Sequence, residues 1–229
     1  MPPPLRRRSS TPRPPAGPTL PRREQLTPPR TDLATDAQWD GVLAGAADAP
    51  DPADGPPRIG GAEIRESVLE GLRLSGARAE GLRLSDVTLV GCDLSGVFAD
   101  GASLARVRFV DCRLTGLVLS DARLTDVSLE DCHADMLNLR MARLERVRLA
   151  GTRARQADLL ESQVTDLTTE AADLREADVT RARFAAADLR GAELEGVRGA
   201  GSLRGAVIAP EQTLGVGLAL IAEAGIRVE

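Results

Sequence analysis

From Ala62 onward an apolar or small residue recurs every five positions with no slip of register. Taking Ile64 as the first central position and Gly199 as the last gives 28 of them: 17 Leu, 4 Ala, 2 Val, 2 Phe and 1 Ile, with only Thr169 and Gly199 departing. Neither helix nor strand has a five-residue period, so the unit is a supersecondary repeat. The companion position two residues earlier, from Ala62 to Val197, holds 11 Ala, 6 Val, 5 Leu, 3 Cys, 2 Ser and 1 Thr. Both positions are expected to point inward. The other three residues of each five are mostly Arg, Asp, Glu, Ser, Thr and Gly, as suits an outer surface and its corners.

A longer period of 20 lies over the first. Val87, Val107, Val127 and Val147 share one column, Cys92, Cys112 and Cys132 another, and Ala62, Ala102, Ala122 and Ala142 a third. Four five-residue sides making one square coil would stack residues 20 apart, and seven such coils result. At about 4.8 Å per coil, the spacing of paired strands, the rod is roughly 34 Å long. The motif Ala-(Asp/Glu)-Leu in Ala157-Asp158-Leu159, Ala172-Asp173-Leu174, Ala187-Asp188-Leu189 and Ala192-Glu193-Leu194 resembles the pentapeptide-repeat family. That resemblance covers about three fifths of the chain and implies an all-β fold, a right-handed quadrilateral β-helix; the handedness comes from the resemblance alone.

The ends break the pattern. Residues 1–30 contain ten Pro and seven Arg, a composition that cannot bury a core and predicts a disordered, partly polyproline tail. Residues 31–61 bring the single Trp, and Trp39, Val42, Ala44 and Ala47 fall in phase with the ladder that starts at Ala62. They are either a degenerate first coil or a short cap, with Pro50 to Pro57 as a linker or long loop. The β-helix is expected over 62–209. In 210–229, Pro210 suits a first helical turn, Leu214, Leu218 and Ile221 follow at helical spacing, and Gly225 is a stop. Residues 210–224 therefore read as a helix that covers the open rod end. In the pentapeptide-repeat proteins that protect DNA gyrase, such an element joins two subunits, so the resemblance implies a homodimer as the other option.

Aromatic residues make up 2% of the chain, so a compact globule would have to be built from Leu, Val and Ala, whereas stacked repeats need no large filler. There is no Lys; residues 1–30 carry a net of +6 and residues 62–201 carry 19 Arg against 24 acidic residues. No run of 18 apolar residues exists, and the amino terminus lacks the apolar stretch of a signal peptide, so a cytoplasmic protein without membrane contact is expected. The Arg-rich tail has no aromatic residue for stacking bases and no amphipathic helix for lipid, which argues against direct nucleic-acid binding.

Little in the chain suggests catalysis. The Cys92, Cys112 and Cys132 column invites a metal or redox reading, but Cys replaces Ala and Val at a core position and is read as filler. His133 should point outward where Cys132 points in, so the two cannot share a metal. No phosphate loop or nucleophile motif occurs, and Gly71, Gly76, Gly81, Gly91, Gly96 and Gly101 belong to corners. No enzyme activity, cofactor or metal is expected.

The reading is a binding or structural rod with an unidentified protein partner. Phe98 and Val118, outward on one face, with Met136 near the same corner, form its candidate partner surface. Because some members of the family imitate duplex DNA, the resemblance also implies DNA gyrase as an alternative partner. B-DNA of about 34 Å carries about 20 phosphates. The four faces here sum to only +1, -3, -1 and -2, and Arg83, Arg123, Arg143 and Arg183 form a basic column on the first.

Overall fold

The computed structural model describes residues 11–49 and 55–227, so the expectations for residues 1–10, 50–54 and 228–229 lie outside the described residues. Two short strands, β1 (Gln38–Asp40) and β2 (Leu43–Ala44), precede six strands of eight residues. These are β3 (Glu63–Glu70), β4 (Arg83–Val90), β5 (Ser103–Val110), β6 (Arg123–Glu130), β7 (Arg143–Ala150) and β8 (Gln163–Glu170). Each long strand pairs in parallel with the next at an offset of 20 residues, as in Glu63↔Arg83, Leu84↔Leu104 and Val87↔Val107. The chain thus climbs one strand spacing per turn of a solenoid. Short strands β9 (Ala172–Asp173), β10 (Arg183–Ala185) and β11 (Ala192–Glu193) complete the last coils, β10 on β8 and β11 on β9.

A long strand covers two sides of the coil and bends between them, at Asp86 (φ 57), Arg106 (φ 54), Asp126 (φ 58), Arg146 (φ 55) and Asp166 (φ 55). The other two sides carry single bridges per coil, Arg73↔Asp93↔Arg113↔His133 on one and Arg78↔Phe98↔Val118↔Asn138 on the other. Glycine occupies part of each remaining corner column, as in Gly76 (φ 71) and Gly96 (φ 63), but Met136 (φ 56) and Gln156 (φ 56) later stand in the same place. A left-handed L-residue costs about 1–2 kcal/mol. Ladder hydrogen bonds hold both sides of these corners, for example Met136 N to Arg155 O at 2.8 Å.

The two inward positions of each five-residue side stack like on like. Leu84, Leu104, Leu124 and Leu144 form one buried column, and Val87, Val107, Val127 and Val147 another. Among the described residues, two apolar voids of about 50 and 40 Å³ lie between these inward side chains. In the column Ala102, Ala122, Ala142, Ser162, Ala182 the serine is wholly buried, and its Oγ has no hydrogen-bond partner among the described residues. Replacing Ser162 by Ala should raise stability by about 1 kcal/mol, because an unsatisfied buried hydroxyl costs about 1–3 kcal/mol. A lower thermal midpoint for Ser162→Ala would contradict this.

At the amino end, β1 and β2 pair in parallel with β3 through Trp39↔Ile64 and Ala44↔Leu69, the pairing of a coil side at an offset of 25. Trp39 is 2% exposed and its Nε1 donates to Thr31 O at 3.0 Å. The inward phase stops at Ala44. Ala47, expected to continue it, is exposed in a 3-10 turn over Ala46–Asp48.

Residues 11–27, part of the segment expected as a disordered tail, lie against the rod. Ala16 N donates to Asp126 Oδ1 and Thr19 N to Asp86 Oδ1, each at 2.9 Å. Arg23 grips Glu70 with two bonds of 2.8 Å, Leu26 is buried, and Thr27 bridges Val42. Low hydrophobicity does not keep this segment free, because specific polar partners on the rod replace water.

The carboxyl-terminal helix differs from expectation too. A 3-10 turn at Pro210–Gln212 leads into α1 (Thr213–Glu223). Its side toward the rod is Val216, which is buried, with Ala219 packed against the core and the bare Gly215 approaching Glu195. Leu214 and Leu218, read as part of the capping stripe, are 73% and 48% exposed, and Ile221 is only half-buried. The polar ends set this roll. Gln212 Nε2 donates to Leu189 O at 2.7 Å and also to Ala192 O. The Glu223 carboxylate accepts from Ala200 N and, at 3.1 Å, from Gly201 N.

Candidate interaction surfaces

The structure brings Phe98 and Val118 together as bridge partners on adjacent coils. Met136, 53% exposed, sits at the corner two residues before Asn138, the next bridge partner of Val118. The apolar patch is partly covered. The Arg78 guanidinium lies 4.0 Å from the centre of the Phe98 ring, a cation–π contact, and Phe98 is 37% exposed. Met141, 48% exposed at another corner, was not singled out from the sequence because its column holds Gly81, Gly101 and Asp121. The basic column is interrupted, since Ser103 separates Arg83 from Arg123 and Gln163 separates Arg143 from Arg183.

Cys92, Cys112 and Cys132 are buried and unpaired. Their thiols spend their protons on backbone carbonyls: Cys92 Sγ lies 3.4 Å from Leu69 O, and Cys112 Sγ 3.3 Å from Val110 O. Thr152, next in the column, repeats this arrangement with Oγ1 donating to Leu129 O at 3.0 Å and Ala150 O at 3.1 Å. The column therefore adds a second donor to corner carbonyls that the ladder already engages, since Val110 O also accepts from Gly91 N and Ala150 O from Asp131 N, each at 2.9 Å. Contact with the Cys112 thiol, then burial, pushes the Cys92 and Cys132 thiols up, away from the reactive thiolate. His133 is exposed and pairs through its backbone with Arg113 and Arg153.

The bent corner of the long strands carries alternating charge: Asp86, Arg106, Asp126, Arg146, Asp166. Arg106 grips Asp86 with bonds of 2.7 and 2.5 Å, and Arg146 grips Asp126 with bonds of 2.7 and 3.0 Å. These guanidinium bonds are the main reason both carboxyls sit below the usual carboxylate range. A depressed folded pKa contributes stability above the unfolded value, about 3.9, and loses it as pH falls through the folded one. The thermal midpoint should hold from neutral pH to about pH 4 and fall below it. The fall should be shallower in Asp126→Asn; an identical profile would show that the ladder contributes nothing to acid stability.

At the carboxyl end, Leu214 and Leu218 border an open groove with Glu195, Arg198 and Gly215. Leu220 and Ile226 are also exposed there, at 44% and 59%. Among the described residues no helix is long and apolar enough to cross a membrane.

The repeat register is matched by known sequences as well as by geometry. The model of the pentapeptide repeat region matches residues 102–178, and that of pentapeptide repeats in eight copies matches residues 60–96 and 170–198. No curated protein matches the chain significantly. Among solved structures, QnrB1, a plasmid-mediated fluoroquinolone resistance protein, is similar at 17% identity, with 86% of this chain and 94% of that one covered and a TM-score of 0.37. HetL, a pentapeptide repeat protein involved in heterocyst differentiation regulation from the cyanobacterium Nostoc sp. strain PCC 7120, is similar at 18% identity, with 76% and 90% covered and a TM-score of 0.34. With a core ladder of five-residue sides stacked in 20-residue coils and both repeat models matching across it, the chain belongs to the pentapeptide-repeat family.

Proposed function

We propose that this protein is a non-catalytic binding rod that works through its exterior and pairs with a second copy through α1. The carrying observation is the apolar outer side of that helix, where Leu214 and Leu218 face solvent while Val216 alone of the helix is fully buried. An exposed apolar helix face at the end of a rod is an interface in need of a partner. A second copy supplies an equal apolar face under two-fold symmetry. The interior supports a role for the exterior, since its voids of about 50 and 40 Å³ are far below the few hundred Å³ of a ligand pocket. Sedimentation of the full chain across a dilution series is the test. Twice the chain mass, reduced to single mass in Leu214→Glu/Leu218→Glu, is the expected result; a wild-type monomer at all concentrations ends the dimer reading.

The partner surfaces along the rod are the Phe98–Val118 face and, beyond it, the charged corners. A second reading, engagement of DNA gyrase by partial DNA mimicry, is supported by the family resemblance and by a rod of roughly 34 Å. The alternating Asp–Arg ladder works against it, because each carboxylate is neutralised locally and no continuous negative stripe results. A supercoiling assay with and without a quinolone separates the two readings. Inhibition or protection by the full chain supports gyrase as the partner; no effect at saturating protein removes it.

A further inference from the structure

The segment over residues 12–21 meets the bent corner of the β-helix at two unrelated periods that coincide in space. Along the rod the ladder carboxylates Asp86, Asp126 and Asp166 stand two coils apart, about 9.6 Å. Along the strap, the groups that reach them are three residues apart. Thr19 N donates to Asp86, Ala16 N donates to Asp126, and the Arg13 guanidinium lies 3.5 Å from Asp166. Three residues spanning about 9.6 Å is a rise of about 3.2 Å each, close to the 3.1 Å rise and threefold repeat of a polyproline II helix. The prolines obey the same period: Pro12, Pro15, Pro18 and Pro21 are half-buried, while the side chains of Arg13, Ala16 and Thr19 between them stay largely exposed. Their prefixed φ lowers the entropy lost on docking.

The receptor side is built for this. Asp86 and Asp126 each hold an Arg of the coil above through both oxygens, and their Oδ1 atoms also accept the strap N–H. At Asp166 the ladder continues to Ala186 and offers no guanidinium from the next coil. Arg13 takes that place, on a carboxylate whose side chain is only 6% exposed. Thr88, Arg108, Ser128 and Arg148 floor the groove beneath Pro15 and Pro18.

We propose that this corner is a binding site for a proline-rich segment in the polyproline II conformation, with Pro at every third position, backbone N–H donors at two successive steps and an Arg at the third. Residues 12–21 of the same chain are its resident ligand. A second segment of the same chemistry gains access only when the strap lifts. The inference does not depend on α1 or on gyrase.

The test uses the full chain and Ala16→Pro/Thr19→Pro, which keeps the polyproline geometry and deletes both donors. The probe is a labelled peptide of residues 11–26. Tethering gives the resident strap a high effective concentration, so wild type should bind the peptide on the order of tenfold more weakly than the variant. A peptide with Pro at both donor positions should bind neither. In wild type, the Ala16 and Thr19 amides should exchange with solvent at least about tenfold more slowly than the same amides in the free peptide. Free-peptide exchange rates at both amides, or equal peptide affinity for wild type and variant, overturn the proposal. Protection that fades on dilution assigns the strap to another copy and overturns the resident-ligand assignment.

Discussion

Phe109→Ala is expected to destabilise the rod by about 3–5 kcal/mol, read as a lower midpoint in guanidinium unfolding. Phe109 is 4% exposed and lies between Leu89 and Leu129 in its column. The ladders above and below hold the coil spacing, so neighbouring Leu and Val side chains cannot close the space that the ring leaves. Each coil touches only its neighbours, so damage at the middle should also weaken the coupling between the two halves. A second, earlier transition in Phe109→Ala would show that uncoupling. A loss under about 1 kcal/mol would mean that the interior collapses freely, contrary to the stacked core described above.

The second large effect is expected at Gly199→Ala. Gly199 has φ 76, and an added Cβ would lie 2.3 Å from Thr180 N and 2.4 Å from Thr180 Cα. Left-handed strain and overpacking against backbone together should cost roughly 3 kcal/mol or more. The control is Gly101→Asp, where φ is 66 and nothing lies within 4 Å of the new Cβ. Asp121 already occupies that corner one coil on, so this change should cost only the left-handed strain, about 1–2 kcal/mol. Equal losses in both variants would make the corner conformation, and not the close approach to Thr180, the cause.

Gly199 also shows how far the pattern could be read. It breaks the ladder of central positions, and so does Thr169, yet neither is an error of register. Thr169 turns its hydroxyl to Asp188 O at 3.2 Å, and Gly199 admits a backbone crossing that no side chain would allow. Both reasons concern neighbours nineteen residues away. The same holds for the surfaces. The outward placement of Phe98 and Val118 was legible from the repeat phase, but the Arg78 guanidinium over the ring was not. The helix at 213–223 was legible from Pro210 and Gly225, while its roll was not. Leu214 and Leu218 have helical spacing, but the bonds of Gln212 and Glu223 to the last coil turn them outward.

The amino-acid sequence by itself determined the coil. A five-residue apolar period within a twenty-residue column pattern specifies which side chains enter the core and which residues stack, because each repeat sees the same neighbours as the last. Only the tertiary structure decided what lies on that rod. The strap carries no apolar period, and its proline and arginine content describes a chain that cannot make a core, not one that cannot be held. Its position depends on a threefold step of about 9.3 Å meeting two coils of about 4.8 Å, a coincidence between distant segments that neither segment contains alone.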